Sequence, residues 1–250
     1  SNSIALDKLT ENPAISYYDN VNEIVKYSYF NGTNWQTEDV ATVVDGTRTS
    51  LAFDAINRAH VAYFDPTTNE TKFATRSGAN SWTSEIVNDD TGHFWQNFNL
   101  VIDPCDVPHL VYANMSGLFT VNGLRHSYYD YNLAQWVTEE LETGNIGSYN
   151  DIAVDGLENL HVSYYDNANG NLKYAYFNGS VWTNVTVDDS STNVGLRTSI
   201  TTDSSNNPHV VYYDSSNDYM KYANFNGTDW EIETVRTNIS NTPWHSAIDL

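Results

Sequence analysis

Four histidines stand at a fixed distance from four aspartates: His60, His109, His161 and His209 follow Asp54, Asp103, Asp155 and Asp203, each by six residues. A His–Asp pair is the raw material of a general base, and imidazole is a common metal ligand. A catalytic or metal-binding histidine is needed once, however, and this one recurs every 48 to 52 residues. The pattern instead predicts a buried histidine that bonds to the aspartate, or to a hydroxyl such as Ser50 or Ser199, and satisfies groups that burial would otherwise penalise. A second series, Asp19, Asp65, Asp166 and Asp214, opens polar turns such as "DNANGN". These oxygen-rich loops lack the full ligand series and the closing Glu of a calcium loop, so each Asp is expected to cap its own turn. Cys105 is the sole cysteine, which excludes an intramolecular disulfide and leaves no zinc-like Cys/His spacing. No catalytic residue, metal or cofactor is assigned.

The elements that position these residues are repeats. "HVSYYDNANGNLKYAYFNGSVW" from His161 and "HVVYYDSSNDYMKYANFNGTDW" from His209 are close copies. Older copies start at Ala14 and His60, and a divergent one at His109 has Asn114 in place of the turn Asp and inserts "MSGLFTVNG". Five repeats with a period in the forties are the mark of a propeller or solenoid. The fourth copy divides at its turns into "DIAVD", "LHVSYYD", "LKYAYF" and "VWTNVTV", four short runs rich in β-formers. The second run is apolar or aromatic on both faces, so its sheet needs neighbours on both sides. Blades packed around an axis supply them without capping repeats. The expected fold is all-β, a five-bladed propeller of four-stranded antiparallel blades forming one domain, with repeats at about 1–46, 47–95, 96–147, 148–195 and 196–243. Small residues in the first strands (Ala5, Ala52, Ala153) place these innermost, and "SAIDL" near the C-terminus reads as a partial sixth strand over 245–250. It either helps close the ring or belongs to a longer array.

Five tryptophans, Trp35, Trp82, Trp136, Trp182 and Trp230, follow the third turn, three of them as G-x-x-W. "YFNGTNW", "YFNGSVW" and "NFNGTDW" resemble degenerate Asp-boxes, the S-x-D-x-G-x-T-W turn of sialidase-like and lectin-like propellers, with Phe30, Phe177 and Phe225 at the Asp position. The resemblance covers the repeat architecture along the whole chain. It implies the fold and brings no activity, because the Asp-box is itself structural. Each Trp is expected to cover its own hairpin at the rim.

Function is expected where the copies differ. Six residues before the first-strand Asp stand Arg48, Asn97, Tyr149 and Arg197, and the partial sixth copy adds His245; Trp95 and Trp244 lie beside them, with His93 and Phe94. Aromatic faces flanked by Arg, Asn and Tyr suit a sugar, whose C–H faces stack while its hydroxyls need fixed partners.

With 32 acidic against 11 basic residues, the chain repels nucleic acid and anionic membrane, and no apolar run is long enough for a membrane span. The N-terminus lacks the basic and apolar regions of a signal peptide. Sequons at Asn31, Asn69, Asn114, Asn178, Asn184, Asn226 and Asn238 and the Asn/Ser/Thr/Tyr-rich composition fit a secreted or cell-surface protein, although "NGT" and "NGS" are also good turns. The expected role is a non-enzymatic module recognising a glycan or surface protein, as in adhesion, with an oligomer or larger assembly compatible. An architectural tile of a surface lattice is one alternative and a sialidase-like glycoside hydrolase another. The hydrolase would need three clustered arginines, but Arg58 and Arg76 fall in turns expected at the opposite end of the ring from Arg48 and Arg197.

Overall fold

The computed structural model describes residues 2–44, 48–88, 98–115, 120–239 and 245–250. Among these residues there is no helix, and the strands form five four-stranded antiparallel sheets. The first sheet holds β1 (Asn2–Leu6), β2 (Pro13–Asp19), β3 (Ile24–Phe30) and β4 (Trp35–Thr42). The second holds β5 (Thr49–Phe53), β6 (Ala59–Asp65), β7 (Glu70–Gly78) and β8 (Ser81–Asn88), and the third β9 (Phe98–Ile102), β10 (Pro108–Met115), β11 (Val121–Asp130) and β12 (Gln135–Thr143). The fourth holds β13 (Ser148–Val154), β14 (Leu160–Asp166), β15 (Asn171–Phe177) and β16 (Trp182–Asp188), and the fifth β17 (Val194–Thr202), β18 (Pro208–Asp214), β19 (Tyr219–Phe225) and β20 (Trp230–Arg236). In every sheet the strands pair in sequence order. The chain is a five-bladed β-propeller.

It divides into two compact units. One comprises Ser1–Leu110, Met115–Phe119 and Ser127–Thr138, the other Val111–Asn114, Thr120–His126 and Glu139–Leu250. The second strands carry the core: every residue of β6 and of β14 is buried, whereas β20 is exposed along nearly its whole length. A strand buried on both faces reads as a continuous run of β-formers, which is why "AHVAYFD" and "LHVSYYD" hardly alternate. Within the first unit β5 lies against both β1 and β9, and within the second β13 lies against β17, so first strands meet first strands. Side chains lace these meetings. Ser3 Oγ accepts the Leu51 N–H at 3.1 Å, Ser50 Oγ accepts that of Leu100 at 3.0 Å, and Asp151 Oδ2 accepts that of Ile200 at 3.0 Å.

A second lacing joins the turns between first and second strands. Lys8 N–H donates to Asn57 Oδ1 (2.7 Å), Ala55 N–H to Asp106 Oδ1 (2.7 Å) and Gly156 N–H to Asn206 Oδ1 (3.0 Å). The donor always directly follows the first-strand Asp, and the acceptor is a residue two further on in the next repeat, with a left-handed backbone (φ 66°, 63° and 66°). Pro104 occupies the donor position of the third repeat and has no N–H.

Two expectations are adjusted. β13 begins three residues before the predicted run because a bulge between Ser148 and Asp151 extends the pairing. Residues 245–250 form no strand, and β2 pairs with β1 along the whole first strand.

Gly195 shows how tightly the loops fit. Its φ is +104°, and a Cβ there would meet Leu172 Cα at 2.6 Å and Leu172 N at 2.7 Å. Gly195→Ala should cost at least about 2 kcal/mol, because it adds a backbone clash to the left-handed strain. Gly179→Ala, with φ +84° and nothing within 4 Å, should cost only the strain, about 1 kcal/mol. Urea denaturation of the two variants checks the difference.

Candidate functional site

The repeated histidines are structural. Nε2 of His60, His109, His161 and His209 lies 3.1, 3.3, 3.1 and 3.4 Å from the carboxylates of Asp54, Asp103, Asp155 and Asp203. The other ring nitrogen is also engaged, Nδ1 of His60 with Thr75 Oγ1 at 3.0 Å and Nδ1 of His161 with the Tyr174 hydroxyl at 2.7 Å. Burial pushes the His60 and His161 imidazoles below their ordinary range despite the neighbouring carboxylate, so both rings are held neutral. His161→Ala orphans buried polar groups and should lower stability by about 1–3 kcal/mol, measurable as a shift in the urea midpoint. The turn aspartates also behave as expected: Asp19, Asp166 and Asp214 each accept two N–H groups of their own turn.

The tryptophans do more than cover their own hairpins. Trp182 does sit against Phe177 (5.1 Å between centroids), and Trp230 against Phe225 (5.7 Å). Four of the five also reach back to the preceding blade: Trp82 meets Tyr27 edge-on at 5.3 Å, Trp136 meets Phe73 at 5.1 Å, Trp182 meets His126 at 5.3 Å and Trp230 meets Tyr174 at 5.0 Å. Two of the indoles donate across the same gap, Trp82 Nε1 to Glu38 (3.1 Å) and Trp182 Nε1 to Glu139 (2.7 Å). The expectation of a purely local rim residue is therefore corrected. The ring is long enough to span from its own hairpin to the next sheet, and its N–H needs an acceptor there.

Clefts open beside these bridges at equivalent places in three blade pairs. Between the first and second blades a cavity of about 250 Å³ is lined by Tyr27, Tyr29, Asn31, Asn57 and Arg76 among others. Between the second and third, one of about 310 Å³ is lined by Arg58, Phe73, Glu85, Asp106, Tyr129 and Trp136. Between the fourth and fifth, one of about 570 Å³ is lined by Tyr174, Tyr176, Asn206, Phe225, Asp229 and Trp230. Each combines ring faces with hydroxyl, amide or carboxylate groups from the third strand of one blade and the turns of the next.

In the first cleft the polar groups satisfy each other. Arg76 donates to both oxygens of Glu38, Nε at 2.9 Å and Nη2 at 2.6 Å, while its guanidinium lies 5.1 Å above the Tyr29 ring. Glu38 is only 3% exposed. Burial alone would raise its pKa, but the Arg76 bonds and the Trp82 N–H bring the carboxyl net below its usual value.

The residues singled out in the sequence occupy other ground. Tyr149 and Arg197 come together, the guanidinium 5.2 Å from the ring centroid, and both have left-handed backbones (φ 52° and 55°). Arg48 is half-buried just before β5, and His245 is exposed. Trp95, Asn97 and Trp244, with His93 and Phe94, lie outside the described residues. None of Arg48, Tyr149, Arg197 and His245 lines the three clefts. Among the sequons, Asn31, Asn178, Asn184, Asn226 and Asn238 are exposed, and Asn69 and Asn114 are half-buried. Oδ1 of Asn31, Asn178 and Asn226 accepts two N–H groups of its own turn.

No family model matches the chain, and no curated protein matches it. Solved structures do. A lectin from Aleuria aurantia in complex with Fucα1-6GlcNAc aligns over 96% of this chain and 79% of its own with a TM-score of 0.65 at 10% identity. The chain is similar in fold to lectin and sialidase propellers. An ulvan lyase aligns over 90% of this chain and 69% of its own (TM-score 0.62, 13% identity), and a Hadza microbial sialidase over 95% and 58% (TM-score 0.60, 8% identity). At such identities the likeness concerns the propeller fold, which lectins and polysaccharide-cleaving enzymes share.

Proposed function

We propose that this propeller is a non-enzymatic carbohydrate-binding module, secreted or displayed at the cell surface, whose sugars sit in the clefts between blades. The observation that carries this reading is the recurrence of one cleft in three blade pairs. Each places an aromatic pair, stacked Tyr27 and Tyr29 in the first and an edge-on pair in the other two, beside hydroxyl, amide or carboxylate groups, the combination that stacks a sugar face and bonds its hydroxyls. Repetition of a shallow site suits multivalent binding, in which weak individual contacts sum to useful avidity. The fold likeness to a fucose-specific lectin supports the same class of ligand.

The arginines speak against a sialidase-like site. Arg58, Arg76 and Arg125 are each engaged with an intramolecular carboxylate, Asp54, Glu38 and Glu140 respectively, and so are poorly placed to clamp a substrate acid together. Arg48, Trp95, Asn97, Tyr149, Arg197, Trp244 and His245, the residues singled out in the sequence, are proposed as accessory contacts. The motive is the Tyr149–Arg197 pair, since left-handed backbone at bulky residues persists where a site demands it.

A glycan array with the whole chain tests the reading. Binding to one sugar family is expected, and Trp230→Ala, which strips the aromatic floor from the widest cleft, should reduce it at least tenfold. An Arg48→Ala/Arg197→Ala variant should reduce it less. Absence of binding to every glycan, or binding indifferent to Trp230, would overturn the proposal.

A further inference from the structure

The first and second clefts share a frame and differ in their charges, Arg58 and Asp106 of the second standing where the first has Asn12 and Asn57. In the blades Glu85 is equivalent to Glu38, Trp136 to Trp82 and Phe73 to Tyr27, and Tyr129 replaces Arg76; Glu85 and Trp136 line the second cleft, whereas Glu38 and Trp82 stand behind Arg76 and do not line the first. The cation that ties the first cleft together is thus missing from the second. Two consequences are visible. Glu85 is exposed, whereas Glu38 is buried, and Trp136 Nε1 is a buried donor with no acceptor, whereas Trp82 Nε1 bonds to Glu38. Arg58 does not make up the loss, because its Nε is held at 2.6 Å by Asp54.

We propose that the cleft between the second and third blades binds an organic cation, an ammonium or guanidinium group, which supplies from outside the charge that Arg76 supplies inside the first cleft. The rings are arranged for it: Tyr129 lies 5.0 Å from Tyr131 and 5.8 Å from Trp136, which in turn meets Phe73 at 5.1 Å. A cation over such faces is drawn by their quadrupoles, most strongly when partly desolvated. Asp54, Glu85 and Asp106 place three carboxylates against the single guanidinium of Arg58 on the cleft wall, and His60, held neutral, adds no opposing charge. With the cation seated, Glu85 is attracted inward, where it can accept the Trp136 N–H as Glu38 accepts that of Trp82. This rests on the carbohydrate reading only for the source of the cation, which under that reading is an amino sugar with a free amine.

The test is a titration of the full chain at pH 6.5 with methyl glucosaminide, its N-acetyl counterpart and arginine methyl ester, followed through the Trp136 indole ¹H–¹⁵N signal. The free amine should bind at least tenfold more tightly than the acetylated sugar and move that signal. Glu85→Gln should weaken binding at least fivefold without changing the melting temperature, which separates the cleft from general attraction to an acidic protein. Tyr129→Arg, which installs the internal cation, should abolish binding. If both sugars bind equally and Glu85→Gln has no effect, the cation inference falls and the carbohydrate reading stands. If the ester alone binds through Glu85, the cation site stands with a source other than an amino sugar, and the glycan array decides the carbohydrate reading. If neither the amine nor the ester binds, the cation inference is overturned.

Discussion

Arg76→Met should destabilise the protein by about 3–5 kcal/mol, because it strands the buried Glu38 carboxylate without its counter-charge. Arg76 itself keeps contact with water, so most of the loss arises at Glu38, which is left with Trp82 as its remaining charge-stabilising side chain. The paired variant Arg76→Met/Glu38→Leu should recover a large part of the loss, since an apolar pair of similar volume can replace a buried ion pair at little cost. Urea denaturation of the two single variants and the double closes the cycle. A single variant within about 1 kcal/mol of wild type would show that the bridge is ornamental.

Acidification should weaken the fold in two stages of different steepness. Burial lowers the His60 and His161 pKa values below 6.5, so the stability they contribute is complete above pH 6.5 and is lost as the pH falls through their folded values. Asp151 works in the opposite sense. Burial raises its carboxyl to about 6 against the backbone and Ser199 bonds that favour the charge, so it gains stability as the pH falls through 6 toward its ordinary value. The two effects offset each other between about pH 6.5 and 4, and the decline there should be shallow. Below it the groups with depressed values, Asp54, Asp65, Asp103, Asp155 and Asp188, begin to protonate and forfeit the bonds that hold them, and the loss becomes steep. Melting temperatures from pH 7 to 3 check this, with Asp151→Asn as control. That variant lacks the opposing group, so its decline should already be evident at pH 6. Identical profiles for the two proteins would remove Asp151 from the account.

The repeat architecture was legible because each blade restates the same hydrophobic pattern, and one copy interprets the others. "LHVSYYD" reads as a strand buried on both sides, and the His–Asp spacing discloses a polar pair whose recurrence argues against a unique catalytic role. The Trp bridges were not found, for a physical reason: the partner of Trp82 is Glu38, 44 residues earlier, and that of Trp182 is Glu139, 43 residues earlier. Such contacts belong to the packing of one blade on the next, which no single repeat encodes. The available signal was the W-x-x-E at Trp35, Trp82, Trp136 and Trp230; Glu38 and Glu139 accept from the Trp of the next repeat, whereas Glu85 does not accept from Trp136. The loops that vary most between copies drew attention as binding loops, yet several bond to the neighbouring turn between second and third strands, as Val43 N–H does to Glu23 and Ala168 N–H to Asn145. Variation in a loop can therefore reflect different ways of lying on a turn.

The lacing of the turns has a bearing on how such a chain came to exist. The second blade offers the Ala55 N–H on one flank and receives the Lys8 N–H with Asn57 on the other, so the connection has a direction and a single blade can carry both halves. A gene segment encoding one blade could be duplicated in tandem, and the new copy would join its neighbours with no further change, because plug and socket travel together. The donor half tolerates any amino acid except one, while the acceptor half demands a short side chain able to adopt a left-handed backbone. Pro104 is the exception at the donor position, and it falls in the third repeat, the copy that has diverged most from its siblings. A blade that has given up its plug no longer has to match the socket of the blade after it, and from then on the two can change independently.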